Sequence, residues 1–334
     1  MQKGELMKAV VLTEPKKMEI KEMPMPAPGR KEVLVRVRQV GICGSDYSKY
    51  LGYLGGVMPV IPGHEAIGEI AGLGPEAEGV RIGERVAIQP NFACGSCEIC
   101  RSGMENVCPN KIRLGLDVNG AFAEYVVVPR KYVWSLPDGL SDSDAALTEP
   151  LAVAVHGIAK CPPTPKDKVL IYGAGAIGMF FIQLAVLSGA RVTVIDIAEP
   201  RLAVARKLGV AETFSSAESL EAASGAFTVA FETSGTPGAL AYIVKWCAPG
   251  ATIVHLGLPK ADVTFPAFFI TRKELVIKGA SIYLEEFRTA IDLLKNGKIR
   301  TDLFITNVYP LEELPRVITD FPSPARVKDL IRIS

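Results

Sequence analysis

The chain of 334 residues carries 37 basic against 36 acidic side chains, with 49% hydrophobic and 22% charged residues. That length suits two packed domains, and the near-neutral balance lacks the basic excess of a nucleic-acid binder. The longest apolar runs, such as Met179–Leu187, fall far short of the roughly 20 residues a membrane span needs, so no membrane partner is expected.

The N-terminal stretch MQKGELMKAVVL has no signal-peptide core or cleavage site, which predicts a cytoplasmic protein. Thiols stay reduced there, so clustered cysteines point to metal chemistry more than to disulfides. The first 145 residues are rich in Val, Gly and Pro and read as many short strands of a β-rich, barrel-like domain. One of these strands, VLVRVRQV (33–40), alternates valines. It runs into GICGSDYSKY, which carries Cys43. His64 and Glu65 follow the turn signal Pro62-Gly63. Each alone reads as an ordinary structural residue. Together, and with Glu149 ahead of Pro150, they offer a thiolate, an imidazole and one or two carboxylates. Such a set holds a catalytic zinc while leaving a coordination position open.

The next stretch, ACGSCEICRSGMENVCP, puts Cys94, Cys97, Cys100 and Cys108 into fifteen residues. Three thiolates at two-residue intervals turn inward on a tight loop and the fourth closes a tetrahedron, the closed form of a structural zinc site. An iron–sulfur cluster uses similar spacings, but the chain has no second cluster-like run; unmetallated thiols are the remaining alternative. Cys161 and Cys247 stand alone and read as small buried hydrophobes. Of the three histidines, His156 lies in an apolar helix-like run and His255 ends a strand, so both read as packed or supporting residues.

At Lys168 the pattern changes. KVLIY is a continuous apolar run, as in a parallel strand buried on both faces. Gly173, Gly175 and Gly178 follow in G-x-G-x-x-G spacing, with Ala176 and Ile177 inside the motif. A helix to about Leu187 and the strand RVTVID, ending at Asp196, complete a dinucleotide-binding fingerprint. Glycines let the backbone approach a pyrophosphate, and the helix N-terminus favours its charge. Asp196 would accept hydrogen bonds from ribose hydroxyls and repel a 2′-phosphate, which favours NAD over NADP; Arg201 is the one nearby residue that could favour the phosphate. Apolar strands recur at 227–235, 251–259 and 275–282, with helices between them, as in a doubly wound α/β sheet. A helix in EEFRTAIDLLKNGK ends at Gly297.

The Cys43-Gly-x-Asp46 turn, Gly63-His64-Glu65, the four-cysteine lobe, Glu149-Pro150 and the Gly173–Gly178 turn, in this order, resemble the zinc-dependent medium-chain dehydrogenase/reductase family over nearly the whole chain. Glu149-Pro150 is similar to its polyol (sorbitol-type) dehydrogenase branch, and the stretch 270–299 is similar to bacterial dehydrogenases of sugar alcohols and aldonic acids. L-threonine dehydrogenase is the neighbouring branch with another substrate. The resemblance implies a GroES-like catalytic domain (1–145, its zinc lobe at about 91–110), a Rossmann domain (146–285) and a tail (286–334) returning to the first. It also implies two zinc ions, NAD, a homodimer or homotetramer, and Cys43, His64, Glu65 and Glu149 around the catalytic metal. Ser45 takes the inner place of a proton relay; Ser48 stands where many relatives carry a histidine. Tyr50 and Tyr283 are candidate pocket aromatics.

A zinc held by a thiolate and carboxylates keeps little positive charge. No arginine adjoins the Cys43 or His64 motifs, although folding could bring in Arg113 or Arg272. The expectation therefore leans to a neutral polyol over an aldonate, and further from threonine. Competing readings are a redox sensor that binds zinc and nucleotide without catalysis, and a zinc-free reductase of the same superfamily.

Overall fold

The computed structural model describes residues 5–223, 226–321 and 323–334. The first residues of the N-terminal stretch lie outside these; from Leu6 the chain is a strand, Leu6–Glu14, paired with Lys17–Pro24.

Two sheets carry the architecture. The first has seven strands, six of them on one path in the order Ile305–Pro310, Lys328–Arg332, Glu32–Gly41, Glu65–Leu73, Arg85–Ile88 and Val133–Ser135, with the seventh, Tyr125–Pro129, pairing Glu32–Gly41 off that path. The alternating valines of 33–40 put Val33, Val35 and Val37 in a core with Val10, Leu12, Phe122 and Val128. The last strand of the chain pairs antiparallel with Glu32–Gly41, Leu330 opposite Gly41. The C-terminus is thereby built into the N-terminal sheet.

The second sheet is fully parallel, in the order Glu212–Phe214, Arg191–Ile195, Lys168–Tyr172, Phe227–Glu232, Cys247–His255 and Val276–Gly279. The chain winds outward from Lys168–Tyr172 through two strands, then returns to the other side of the same strand. The reversal leaves a crevice at the carboxyl ends of Lys168–Tyr172 and Phe227–Glu232, where such sheets bind ligands. Apolar clusters cover both faces. One holds Ile171, Phe180, Phe181 and Phe231; the other holds Leu170, Ala230, Ile243 and Trp246. The first also takes in Ile67 and Ala87 of the N-terminal sheet and Phe287 and Leu294 of the helix Phe287–Lys295, so one apolar core spans the junction. Cys247 is fully buried and Cys161 packs at the edge of this core.

Both late strands stop earlier than their apolar runs suggest, at His255 and Gly279, because the parallel pairing ends there and the chain turns into loops. Among the described residues no helix is long and apolar enough to cross a membrane.

Candidate active site

Cys43 caps the helix Gly44–Tyr50, which starts as soon as the Glu32–Gly41 strand ends. His64 and Glu65 open the neighbouring strand, where Glu65 pairs with Gly41. Adjacent strand ends thus bring residues 21 apart in sequence together, and one donor atom each of Cys43, His64 and Glu65 lie within 4.8 Å of one another. Asp46 organises both turns. Its Oδ2 accepts from the Cys43 amide at 2.9 Å and its Oδ1 from the Gly63 amide at 3.3 Å. The same Oδ1 lies 3.2 Å from His64 Nδ1, which leaves Nε2 as the ligating atom, a carboxylate–histidine–metal arrangement. Ser45 Oγ lies 3.3 Å from that Nε2.

Burial opposes charge on His64, but Asp46 and Cys43 outweigh it and raise its pKa well above the ordinary value. Positive charge is favoured at this spot, and a dication satisfies that preference. The donor set is that of a catalytic zinc.

Of the two candidate carboxylates, Glu65 belongs to this donor group and Glu149 lies outside it, near enough for the charges of His64 and Glu65 to act on it. Glu65 is buried and ion-paired with Lys328, whose Nζ also donates to the Ile42 carbonyl at 3.0 Å. Burial works against the Lys328 charge, yet Glu65 and Cys43 raise its pKa. Glu149, at the start of the helix Thr148–Ala159, is buried and makes no ion pair among the described residues, though the Lys328 charge acts on it at a distance. Burial pushes its carboxyl up to about 7 against the pull of His64, and the Glu65 charge adds to the rise. The Tyr283 hydroxyl bonds Glu149 and accepts from Asn91 Nδ2 at 2.8 Å. Tyr283 is fully buried, and the loop carrying it is held at Ser281 by the Asn106 side chain of the cysteine lobe.

Tyr50 is buried in the core of the N-terminal sheet. Arg113 is paired in a two-pronged bridge to Asp117, and Arg272 is exposed on the helix Phe268–Lys273. His156 binds Glu286 at 2.7 Å, and His255 Nδ1 lies 3.2 Å from the fully buried Glu232. Neither histidine joins the metal cluster. Sequence reading missed Lys328 and Asn91 as site residues, and it noted Asp46 only as part of a motif.

The four lobe cysteines converge. Their sulfurs are 3.9 Å (Cys94–Cys100), 3.5 Å (Cys97–Cys100), 3.9 Å (Cys97–Cys108) and 3.6 Å (Cys94–Cys108) apart. A tetrahedron with zinc–sulfur bonds of about 2.3 Å has edges of about 3.8 Å, so the lobe fits a closed zinc site.

At the parallel sheet, Gly173 sits at φ +105°, a backbone conformation that favours glycine. Gly175 caps the helix Ala176–Leu187 with no side-chain cap, and a Cβ added to it would meet nothing within 4 Å. The helix start thus leaves room at Gly175, and the first-turn amides of Gly175, Ala176 and Ile177 are those a pyrophosphate cradle would use. A Cβ at Gly178 would collide with the Gly173 carbonyl, so this glycine permits close helix–strand packing. Asp196 accepts from the Ala174 amide at 2.7 Å and the Ala198 amide at 2.8 Å. Each of its oxygens keeps a lone pair for a ribose hydroxyl. Arg201 lies 3.9 Å from Asp196 and donates to the Arg326 carbonyl.

Comparison with known proteins agrees with this geometry. Residues 29–138 match the alcohol dehydrogenase GroES-like domain and residues 176–296 the zinc-binding dehydrogenase domain. Sorbitol dehydrogenase of Bacillus subtilis is 33% identical over 321 residues, covering 92% of this chain and 91% of the relative. L-threonine 3-dehydrogenase of Vibrio cholerae is 36% identical over 270 residues, covering 77% of this chain and 78% of the relative. The crystal structure of a protein described as a zinc-binding dehydrogenase from Sinorhizobium meliloti 1021, bound to NADP, superposes with a TM-score of 0.95 at 31% identity, covering 98% of this chain and all of the other. Fold and site define an oxidoreductase that acts on CH–OH groups with a nicotinamide cofactor. The chain belongs to the zinc-dependent medium-chain dehydrogenase/reductase family, in its polyol dehydrogenase branch.

Proposed function

We propose that this chain moves hydride between NAD and a secondary alcohol on a small polyhydroxylated substrate, a sugar alcohol or an aldonic acid. The observation that carries this reading is the Cys43–His64–Glu65 cluster with Ser45 Oγ against His64. When bound there, zinc supplies Lewis-acid polarisation of the substrate hydroxyl, and NAD supplies the hydride acceptor.

The chain's own residues do the rest. Asp46 fixes the His64 ring so that Nε2 faces the metal position. Lys328 offsets the Glu65 charge, while Glu149, held by Tyr283, is the second carboxylate within reach. Ser45 Oγ takes the substrate hydroxyl proton and passes it outward, through water or Ser48. The Gly175–Ile177 amides seat the pyrophosphate, and Asp196 selects a ribose without 2′-phosphate.

The division into 1–145, 146–285 and 286–334 is supported by the two sheets and by the tail strands Ile305–Pro310 and Lys328–Arg332 in the first. Self-association is supported by the open edge strand Val276–Gly279, with Val276 exposed and Phe268 exposed on the preceding helix; size-exclusion chromatography with light scattering tests it. The 36% identity to L-threonine 3-dehydrogenase supports a second reading, oxidation of threonine. A side-by-side assay with saturating NAD decides between the two. Polyols or aldonates are expected to be turned over best; a tenfold preference for threonine or a monohydric alcohol overturns the substrate class.

A further inference from the structure

We propose that Lys49 anchors an anionic group of the substrate, a carboxylate or a phosphate monoester, at the far end from the reacting carbinol. The proposal rests on the dehydrogenase reading above and adds the charge of the molecule that the site takes. It reverses the leaning toward neutral polyols that the lack of arginine near the metal motifs suggested.

The helix Gly44–Tyr50 carries the argument. Residues four apart lie on one face of a helix, so Lys49 stands on the face that Ser45 presents to His64 Nε2. One turn separates them, roughly 6 Å of rise, about the length of a five- or six-carbon chain. Ser48 lies between them on the same stripe. The opposite side of the helix is apolar: Tyr47 stacks on Phe321 and Tyr50 sits in the core.

Lys49 is fully buried, yet its only hydrogen bond among the described residues is a 3.3 Å contact to the Gly55 carbonyl. A buried ammonium is costly unless a charge is paired with it. The acid that acts on it, Asp117, is already spent: both its oxygens bind the Arg113 guanidinium at 2.7 Å, and Oδ2 also accepts the Arg113 amide at 3.0 Å. Two cations therefore share one carboxylate. Burial and the Arg113 charge push the Lys49 pKa down, against the weaker pull of Asp117. Lys49 thus has no carboxylate of its own among the described residues, and a substrate anion supplies one.

What covers Lys49 is a glycine-rich loop, Leu51–Val57. Gly52 and Gly56 take φ +81° and +114°, and the Val57 amide donates to the Leu116 carbonyl at 2.9 Å. The loop also reaches the cofactor half of the molecule, where Lys260 Nζ lies over the Tyr53 ring, 5.1 Å from its centre. It stands where the two halves meet and brings a further cation to that place. An incoming anion would replace the Gly55 carbonyl as the partner of Lys49 as this loop yields. If Lys49 were instead only a clip for the loop, its removal would weaken every substrate alike.

The test compares a six-carbon polyol, its aldonate and its phosphate monoester with zinc-loaded enzyme and saturating NAD. The wild type is expected to favour one of the two anions, and which one identifies the group. Lys49→Met should lower the anion-to-polyol ratio of kcat/KM roughly 10- to 100-fold, mainly through KM, as loss of a charge-assisted hydrogen bond predicts. Lys49→Arg should keep most of the ratio. Calorimetric binding of inorganic phosphate and of acetate to the enzyme–NADH complex, in which the pyrophosphate cradle is filled, gives a readout without turnover. At least one probe should bind wild type and lose affinity in Lys49→Met. An unchanged ratio, or probe binding indifferent to Lys49, overturns the anchor. If wild type turns over none of the three substrates, the dehydrogenase reading fails on its own, and probe binding still decides the role of Lys49.

Discussion

Lys328 and Glu65, 263 residues apart in sequence, meet as an ion pair in which both side chains are only 2% exposed. The last strand of the chain therefore delivers a cation to the metal cluster. It also explains why the C-terminal tail must return to the first sheet: without it Glu65 would be a buried carboxylate with no lysine beside it.

Lys328→Met should cost about 3–5 kcal/mol of stability, because it strands Glu65 uncompensated in the interior. The double variant Lys328→Met/Glu65→Gln should recover part of that loss. Urea unfolding of proteins whose Cys43 cluster holds no metal, so that no dication offsets Glu65, measures both; equal destabilisation in the single and double variants would show that the pair is not coupled.

Cys97→Ser should remove the lobe metal while leaving the cluster at Cys43 intact. Three thiolates no longer close the tetrahedron, and metal affinity is folding energy. The thermal midpoint should fall, and turnover should fall with it. The route is physical: the lobe holds the Tyr283 loop through Asn106, and Tyr283 holds Glu149. A variant that loses one zinc per chain yet keeps wild-type kinetics contradicts that route.

Asp196→Ala should raise KM for NAD roughly tenfold or more, by loss of charge-assisted ribose hydrogen bonds, and narrow the gap to NADP. The substitution also frees the Ala174 and Ala198 amides, so Asp196→Asn is the milder control. Wild-type preference for NADP would reject the selecting role of Asp196.

The metal motifs and the glycine turn were readable in the sequence because each is local: four cysteines in one loop, three glycines between one strand and one helix. The residues that complete the site were not. Lys328 looks like any charged residue in a terminal strand, and only sheet pairing puts it beside Glu65. Asn91 gains its role from Tyr283, 192 residues on. Arg113 was a candidate charge for the substrate, but Asp117, four residues away, neutralises it. Lys49 was hidden because nothing in SDYSKY says which face of the helix turns toward His64.

The pair His255–Glu232 makes stability depend on pH. The Glu232 carboxylate, 3.2 Å from His255 Nδ1, raises the His255 pKa against the effect of burial. That stabilisation is fully present below the unfolded histidine value of about 6.5 and is lost as pH rises through the higher folded value. His255→Gln should therefore destabilise most at about pH 6 and least at about pH 9, read from unfolding midpoints. A constant difference across that range means the pair carries no proton linkage.

The central claim is that the Cys43 cluster holds the catalytic zinc and the cysteine lobe a second, structural one. Zinc content per chain, measured together with NAD reduction for wild type and Cys43→Ser, tests it most directly. Two zinc ions in the active wild type, against one in a folded and inactive Cys43→Ser, is the predicted result. A fully active wild type holding a single zinc, or a Cys43→Ser variant that still reduces NAD, would contradict it.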